Sequence, residues 1–295
     1  MKVLTIIISY QFMRWADQCL SSMLASKYPT DLLVIDNGSK DETVAYLRQH
    51  YPEVRVIENG CNLGFGKANN IGIHFAIEQG YDMVLLLNQD AWLEADALGK
   101  LVAVAEKHPE YGIVSPVHLT GKGDTIEKGF STYTGLEEQG QLPQDTIVEV
   151  PFINAAIWLV SIPTLRKTGL FAPLFYHYGE DKDLANRMSY HHYKIGYVPA
   201  AFGFHDRADR VENKERIRWS EYVYHLSEYA NVNHSFGMAF AKGVLALVKK
   251  ALSSAVGGRW DDAGWYMRKA CVLTSQSAQV IKARKLSKHV DLKKY

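Results

Sequence analysis

The amino-acid sequence predicts an α/β fold in which helices cover both faces of a mostly parallel central sheet. Over the first 120 residues, short apolar runs alternate with segments of helical periodicity, which is the pattern of parallel βαβ units. Connections between parallel strands are right-handed crossovers, and they place helices on both faces of the sheet. A chain of 295 residues can bury one such domain together with a smaller appendage.

The first part of the chain provides the strands and helices of this sheet. Strands are predicted at 3–9, 32–36, 54–58, 83–88 and 113–116, and helices near 15–26, 41–50, 66–79 and 94–107. Ser39 and Glu42 have the spacing of a capping box at the start of the second helix. Residues 121–150 are rich in Gly, Thr, Gln and acidic side chains without a clear period, so we expect a long surface loop or hairpin there.

The second half of the chain is predicted to close the sheet and then to become helical. Residues 147–160 are apolar and strand-forming, a helix follows residues 179–181, and two closing strands are expected at 195–198 and 201–204. From residue 216 the sequence is helical. We therefore expect a sheet domain at 1–215 and a helical, basic extension at 216–295.

One helix of this extension is amphipathic, because an apolar stripe lies opposite Lys242, Lys249 and Lys250. The stripe consists of Phe240, Val244, Leu247, Val248, Ala251 and Ala255. Such a helix can lie in a bilayer interface, or its stripe can pack on the rest of the protein while the lysines are solvated.

Charge is unevenly distributed along the chain. Residues 236–295 carry twelve Lys and Arg against three Asp and no Glu, a local net charge of +9, whereas the rest of the chain carries −8. A basic segment attached to an acidic body predicts an anionic partner surface, either phospholipid or nucleic acid.

Hydrophobicity and cysteine usage bear on the compartment. No run of about 18 apolar residues is present, so no membrane-spanning helix is predicted. The apolar stretch at 3–8 is too short for a signal peptide and lacks a cleavage site, and we interpret it as a strand. Cys19, Cys61 and Cys271 are scattered, which argues against a disulfide framework. These features predict a cytoplasmic protein with reduced thiols.

Asp90 directly follows an apolar strand. Ligands of open α/β sheets bind beyond the carboxyl ends of the strands. A carboxylate in that position can ligate Mg²⁺ or Mn²⁺ while substrate phosphates complete the coordination shell. The alternative is that Asp90 caps the helix that follows.

Two further segments can face a nucleotide. Asp36, which ends the second strand, can accept hydrogen bonds from a ribose or a base, although Asn37-Gly38-Ser39 after it also suits a simple capped turn. The Gly-rich loop 62–70 enters a helix, and its backbone N–H groups with Lys67 can face a phosphate. Asn69 stands where a dinucleotide fingerprint needs its third glycine, which excludes nicotinamide binding.

The segment 179–184 concentrates three carboxylates, Glu180, Asp181 and Asp183, at the start of a helix. Neighbouring like charges raise one another's proton affinity, which suits a general base, but acidic residues also simply stabilise a helix N-terminus. His205 ends an apolar strand, where a neutral imidazole can be a metal ligand or a polar residue at the rim. Three other histidines are assigned to structure or surface: His177, His191 and His192.

The order of these motifs resembles the family 2 glycosyltransferases, and within them the rhamnosyltransferase-like branch. The resemblance covers roughly residues 3–207. Its motifs are Val-Ile-Asp-Asn-Gly-Ser at 34–39, Asn-Leu-Gly-Phe at 62–65, Leu-Asn-Gln-Asp at 87–90, Tyr-Gly-Glu-Asp-Lys-Asp-Leu at 178–184 and Gly-Tyr-Val-Pro at 196–199, with His205. It implies the GT-A fold, a Rossmann-like sheet, here followed by the helical C-terminal extension.

The resemblance also implies an inverting, metal-dependent transfer of a hexose or deoxyhexose from a nucleotide diphosphate sugar to a glycan or lipid-linked acceptor. Asp181 would be the catalytic base, and Asp90 and His205 would hold Mn²⁺ or Mg²⁺. Donor contacts are expected from Ser9, Tyr10, Asp36, Asn62, Lys67, Asn70 and Asn88. Acceptor contacts are expected from Asn154, Trp158 and Glu180. No nucleic-acid partner is expected.

The sequence departs from the family pattern in several places. Asn88 stands at the first position of the Asp-x-Asp motif, so only Asp90 provides a carboxylate there, and Gln89 stands where near relatives have Pro. Gln11 replaces a usual Asn, and Asn154-Ala155 replaces an expected Gly. These changes bear on specificity more than on the type of reaction.

Two other functions are alternatives. A sugar-1-phosphate nucleotidyltransferase should have a Gly-rich, basic loop after the first strand, but residues 9–14 contain no Gly. A non-catalytic protein that binds nucleotide sugars or glycans would keep the fold without a base, and the presence of Asp181 argues against it.

Overall fold

The computed structural model describes residues 1–207 and 213–295. Within these residues nine strands form one sheet: β1 (Val3–Ser9), β2 (Asp31–Asp36), β3 (Arg55–Glu58), β4 (Met83–Asn88), β5 (Ala91–Leu93), β6 (Tyr111–Thr120), β7 (Val148–Glu149), β8 (Ile157–Ser161) and β9 (Lys194–His205). Their spatial order is β3-β2-β1-β4-β8-β6-β9-β5, and β7 pairs with β9.

Helices alternate with the strands and then continue alone. Those interleaved with strands are α1 (Ala16–Leu24), α2 (Thr43–His50), α3 (Phe65–Glu78), α4 (Ala97–Lys107), α5 (Lys128–Thr134), α6 (Ile162–Thr168) and α7 (Glu180–Tyr190). After β9 come α8 (Lys214–Ala230), α9 (Phe236–Phe240), a π-helical segment (Ala241–Leu245), α10 (Ala246–Val256), α11 (Trp260–Ser275) and α12 (Ser277–Lys288).

Each face of the sheet has its own hydrophobic core, because successive side chains of a strand point to opposite faces. Leu4 and Ile6 of β1 join a cluster with α3, α6 and α7, whereas Val3 and Ile7 join another with α1, α2 and α4. A strand buried on both faces is apolar at nearly every position, which explains why β1 is recognisable from its sequence. The predicted layering, with helices on both faces, is confirmed.

The parallel part of the sheet brings three strand ends together. β1 pairs in parallel with β2 and with β4, so Ser9 lies opposite Asp36, and Ile8 lies opposite Asn88. In contrast, β8 enters antiparallel between β4 and β6. The sheet is therefore mixed, and its parallel half supplies the strand ends at which a ligand crevice is expected.

Three local predictions were wrong. Ser39 does not cap α2, because its hydroxyl accepts from the Gln11 N–H and donates to Asp36 at 2.5 Å, and the helix begins only at Thr43. The region 121–150 is not simply a loop, since it contains α5 and β7. The two closing strands are one strand, β9, which is continuous across a register shift opposite Pro116.

The C-terminal helices pack together around a third hydrophobic cluster, which also includes Phe175. Val244 and Leu247 of the predicted amphipathic stripe are buried there, and Phe240 and Val248 pack against the cluster. The stripe therefore packs within the protein and does not face a membrane. Throughout 1–207 and 213–295, no helix is both long enough and apolar enough to cross a membrane.

Candidate active site

A crevice lies at the carboxyl ends of β1, β2 and β4. One cavity of about 390 Å³ is lined by Ile8, Tyr10, Asn37, Asn62, Phe65, Asn88, Gln89, Asp90 and His177. A second cavity of about 340 Å³ is lined by Arg14, Trp15, Asn88, Asp90, His177, Tyr178, Asp206, Arg207 and Arg216. The two share Asn88, Asp90 and His177, so they form one continuous crevice with Asp90 at its centre.

Strand pairing places Asp90 beside His205. β5 runs antiparallel to β9 with Ala91 opposite His205, and the Asp206 N–H donates to the Asp90 carbonyl at 2.8 Å. As a result, Asp90 Oδ1 lies 3.5 Å from His205 Nε2. Burial opposes ionisation of Asp90, but the His205 ring and the Arg207 guanidinium hold its pKa below the usual value.

This corner of the crevice fits a hard divalent cation. Two ligand atoms held about 2.1 Å from one ion are separated by roughly 3.0–3.5 Å, the spacing of Asp90 Oδ1 and His205 Nε2. Asn88 adds a buried side-chain oxygen for which the described part of the chain provides no hydrogen-bond partner. Two oxygens and an imidazole nitrogen form a donor set that suits Mn²⁺ or Mg²⁺.

Arg207 is a residue of the crevice that the sequence did not single out. Its Nε lies 3.1 Å from His205 Nε2, and its charge helps to lower the pKa of Asp90 and opposes the rise that burial causes in the pKa of Asp181. The only sequence signal was its position two residues after His205, on the side of the sheet where the crevice lies. One guanidinium thus links the predicted metal ligands to the predicted base.

The predicted base lies at the start of α7, after a tight turn. Tyr178 has φ 68° and Gly179 has φ 83°, so two left-handed residues precede the helix. A non-glycine residue in this conformation is strained, and such strain is concentrated at functional sites. At Gly179 a Cβ would also meet Val223 at 2.4 Å, which makes glycine necessary there.

Burial shapes the proton affinity of the adjacent pair Glu180 and Asp181. Burial raises the pKa of Asp181, against the backbone N–H groups of Lys182 and Ala155 and the charge of Arg207. Burial, and then the charge of Asp181, raise the pKa of Glu180 to about 8. Glu180 is 4% exposed, and its Oε2 has no partner among the residues described. A base with raised proton affinity is suited to removing a hydroxyl proton.

The donor-side residues have different structural positions. Tyr10 and Asn62 line the crevice, but Ser9 is buried and donates to Asp36. Asp36 Oδ1 accepts from the hydroxyls of Ser9 and Ser39, and Oδ2 accepts from the N–H groups of Gly38 and Ser39. In this structure these bonds stabilise the turn after β2. Asp36 can therefore accept a hydrogen bond from a nucleotide only if the hydroxyl of Ser9 or Ser39 turns away.

The Gly-rich loop is fixed by backbone packing. A Cβ at Gly64 would lie 2.2 Å from the Tyr176 carbonyl oxygen, so only glycine fits. Asn70 is buried, and its amide pairs with both the N–H and the carbonyl of Phe171. It therefore holds two loops together and does not line the crevice described above. Lys67 is exposed and is likewise absent from the lining of both cavities.

On the expected acceptor side, the structure separates the three residues. Trp158 is fully buried in the core of the sheet, so its side chain does not reach the crevice. Asn154 and Glu180 are both buried, and neither is in the lining of the two cavities. His177, which the sequence assigned to structure or surface, is exposed and lines both cavities.

Two departures from the family pattern have structural roles. Gln89 accepts from the Tyr10 N–H at 2.7 Å and donates to its carbonyl at 3.2 Å, which ties the end of β4 to the end of β1. Gln11 adopts φ 54°, a left-handed conformation that Asn tolerates better than most residues.

A mixed Rossmann-like sheet with carboxylates at its strand ends defines the GT-A class of nucleotide-sugar enzymes. The sequence pattern of the family described as Glycosyl transferase family 2 matches residues 5–156, just over half of the chain. The chain therefore belongs to glycosyltransferase family 2 and is a glycosyltransferase with the GT-A fold.

Individual relatives agree with this assignment. The N-acetylglucosaminyl-diphospho-decaprenol L-rhamnosyltransferase of Mycobacterium tuberculosis is 27% identical over 216 residues, 64% of this chain and 70% of its own length. The low-salt glycan biosynthesis hexosyltransferase Agl10 of Haloferax volcanii is 22% identical over 237 residues, 77% of this chain and 74% of its own.

Among solved structures, the mannosyltransferase PcManGT of Pyrobaculum calidifontis, in complex with GDP-Man and Mn²⁺, has a similar fold. Its TM-score is 0.62 at 15% identity, and the match covers 98% of this chain and 87% of that one. At this identity the likeness concerns the fold alone.

The raised pKa of Glu180 predicts a pH-dependent stability difference for Glu180→Gln. Folding raises this pKa from 4.5 to about 8, so the native state binds more protons, and wild-type stability falls as pH rises through this window. The variant lacks this penalty. Its Tm relative to wild type should therefore rise between about pH 5 and pH 8 and then level off, as followed by calorimetry.

Exposed Glu53→Gln is the control, for which we expect a nearly constant Tm difference across this range. A Glu180→Gln difference that is flat with pH would contradict the raised pKa.

Proposed function

We propose that this chain transfers a hexose or deoxyhexose from a nucleotide diphosphate sugar to a hydroxyl of a cell-surface glycan or lipid-linked saccharide, with inversion. The two relatives, an N-acetylglucosaminyl-diphospho-decaprenol L-rhamnosyltransferase and a glycan biosynthesis hexosyltransferase, support this substrate class. The mannosyltransferase of similar fold was crystallised with a nucleotide sugar and Mn²⁺.

The observation that carries the proposal is the arrangement around Arg207. Its guanidinium contacts His205, helps to lower the pKa of Asp90 and opposes the rise that burial causes in the pKa of Asp181, although these residues lie in three distant parts of the sequence. Asp181 and the predicted cation ligands Asp90 and His205 therefore lie within the electrostatic reach of one guanidinium.

The chain's own residues suit a single displacement at the anomeric carbon. Asp181 takes the proton of the acceptor hydroxyl as that oxygen forms its bond to the anomeric carbon. The bond from that carbon to the diphosphate oxygen breaks in the same step, so the configuration inverts and the nucleoside diphosphate leaves. Arg207 places fixed positive charge at the edge of the crevice, where the negative charge of the leaving group develops.

Asn88, Asp90 and His205 would hold the divalent cation in this reaction. When bound, Mn²⁺ or Mg²⁺ supplies Lewis-acid stabilisation of the diphosphate leaving group. Tyr10 and Asn62, at the far end of the same crevice, are positioned to contact the donor nucleotide. We further propose that the transferase domain is residues 1–215, with the helical extension at 216–295, and that the enzyme works in the cytoplasm.

A product assay tests the proposal directly. The protein is incubated with Mn²⁺ or Mg²⁺, a panel of nucleotide diphosphate sugars and a polyprenyl diphosphate N-acetylglucosamine acceptor, and the product is analysed by mass spectrometry and anomeric NMR. We expect a hexose or deoxyhexose added with inverted configuration. A retained configuration, or donor binding without transfer or hydrolysis across the panel, would reject it.

Asp181→Asn should retain the fold and the donor affinity but lose turnover by about 10²–10⁴-fold, the usual contribution of a general base. The amide keeps the shape of the carboxylate and cannot take the proton. Steady-state rates and donor binding by calorimetry measure the two effects separately. Asp31→Asn, at an exposed strand start, is the matched control and should transfer at the wild-type rate. Full activity of Asp181→Asn would show that Asp181 is not the catalytic base and only stabilises the start of α7.

Asp90→Ala should abolish metal-dependent donor binding while the protein remains folded. The residue lies in the crevice and contributes nothing to the hydrophobic clusters. Calorimetric titration of the donor with Mn²⁺ and with chelator gives the comparison. The metal role is wrong if chelator leaves wild-type donor affinity unchanged, or if the variant binds donor as tightly as wild type.

We propose that the outer face of α10 contacts the membrane that carries a lipid-linked acceptor. This outer face consists of Leu252 and Val256 of α10, with Leu245 just before the helix and Trp260 just after it, which are 60%, 92%, 51% and 73% exposed. Lys249 and Arg259 are exposed beside them, within the segment of net charge +9. Exposed apolar residues flanked by basic ones match an anionic bilayer surface.

Vesicle co-sedimentation tests the outer face. Wild-type protein should bind phosphatidylglycerol vesicles at low salt and lose binding as salt rises, since each basic residue contributes roughly 1 kcal/mol at such a surface. Leu252→Glu with Val256→Glu should abolish binding, whereas the exposed Leu24→Glu on α1 should not. A truncation at 235 is unsuitable, because it removes Leu247 and Leu273 from a shared core. Wild-type protein that ignores these vesicles would reject the outer face.

A further inference from the structure

A buried polar cluster lies behind the predicted metal ligand His205. It consists of His118, Glu127, Asn154 and His205, which are 0%, 5%, 6% and 1% exposed. Ligand atoms of His118, Glu127 and His205 all lie within 4.8 Å of one another. Across the residues described, Nδ1 of each histidine and both amide atoms of Asn154 have no hydrogen-bond partner. Buried polar atoms without partners are costly, so such a concentration needs a reason.

The hydrogen bonds assign the tautomer of His205. Two atoms lie near His205 Nε2: Asp90 Oδ1 at 3.5 Å, which is long for a hydrogen bond, and Arg207 Nε at 3.1 Å, which can only donate. His205 Nε2 therefore carries a lone pair, which accepts from Arg207 in this structure and becomes available to a metal when Arg207 turns away. The proton of the neutral ring then lies on Nδ1, which is buried without a hydrogen-bond partner among the residues described and requires an acceptor.

The same reasoning assigns His118. Its Nε2 lies 2.9 Å from the Ser115 hydroxyl, and that hydroxyl donates its single proton to the Ile157 carbonyl at 2.8 Å. His118 Nε2 must therefore donate, and His118 Nδ1 carries a lone pair. The cluster thus contains two kinds of buried donor, His205 Nδ1 and the Asn154 amide nitrogen, and its acceptors include His118 Nδ1 and the Glu127 carboxylate.

Glu127 is the stronger of these acceptors. One of its oxygens caps α5 by accepting from the Phe130 N–H at 2.9 Å, which fixes the side chain in the interior. A carboxylate accepts hydrogen bonds at both oxygens, so the other remains available. Gly129 leaves room for this arrangement, because a Cβ there would lie 2.8 Å from Glu127 Oε2 and 3.2 Å from the Asn154 amide nitrogen.

We propose that Glu127 is a positioning residue for the metal site, whose carboxylate accepts the Nδ1–H of His205 and thereby holds the Nε2 lone pair towards Asp90. This inference rests on the proposed metal role of His205. A separation of up to 4.8 Å is spanned by one bridging water or closed by a side-chain rotation. Carboxylates that orient a ligating histidine in this way also raise its basicity.

Glu127→Gln tests the proposal while preserving the cap. The amide oxygen still accepts from the Phe130 N–H, but the amide nitrogen now meets the His205 Nδ1–H as a second donor. Binding of Mn²⁺ alone, measured from the free-ion EPR signal, should weaken by about 10–100-fold. Glu127→Asp, which keeps the charge, should restore part of that affinity. Ser161→Ala, which removes a cap from α6 outside the buried polar cluster, should leave it unchanged.

A second readout is independent of the metal. The ring nitrogen resonances of His205 in metal-free protein, labelled with ¹⁵N-histidine and assigned by their loss in His205→Gln, should show the proton on Nδ1 in wild type. The Glu127→Gln spectrum should show this preference reduced. A wild-type ring protonated on Nε2 would overturn the proposal without any variant at 127.

The two readouts separate failure of this inference from failure of the proposed function. Unchanged Mn²⁺ affinity together with an unchanged tautomer in Glu127→Gln would leave Glu127 as a helix cap only. Wild-type protein that binds Mn²⁺ neither alone nor together with a nucleoside diphosphate would contradict the metal role of His205. The His205 tautomer in wild type and in Glu127→Gln then decides whether Glu127 positions the ring.

Discussion

The short pairing of β5 with β9 is the constraint on which the crevice depends. It sets Ala91 opposite His205, and the added bond from the Asp206 N–H to the Asp90 carbonyl fixes the residue before the strand as well. Because side chains alternate along a strand, a slip of one residue would turn His205 to the other face of the sheet. The register of β5 against β9 therefore determines that the Asp90 carboxylate and the His205 imidazole lie close together.

This dependence explains which parts of the site could be predicted from the sequence. Strands such as β1 and β4, buried on both faces, are evident as apolar runs, and their carboxyl ends indicate where ligands bind. β5 has three residues and no local signal, so its pairing was not predicted. Arg207 and Glu127 were missed for the same reason, since each matters only through what β9 and α5 bring beside it.

The C-terminal helices illustrate a different limit. The periodicity of the stripe with Val244 and Leu247 correctly indicates one buried face, but periodicity does not identify what covers it. The cover is α8 and α11, through residues such as Tyr229 and Leu273. Along the sequence, the exposed apolar residues of the outer face lie between the buried positions. A helix with apolar residues on two faces does not show a single clear stripe, so the second face was not recognised. The exposed fraction of each side chain in the structure distinguishes the covered face from the outer face.

The charge balance of the crevice connects the departures from the family pattern. Replacement of a carboxylate by Asn88 removes one negative charge from the cation site, and Arg207 adds a fixed positive charge 3.1 Å from His205 Nε2. Asn88 and Arg207 both weaken the attraction of these residues for a divalent ion. A nucleotide diphosphate brings the missing negative charge and oxygen ligands. The geometry therefore favours a cation that binds together with the donor, and a His205 ring already oriented by its buried neighbours reduces what that binding must organise.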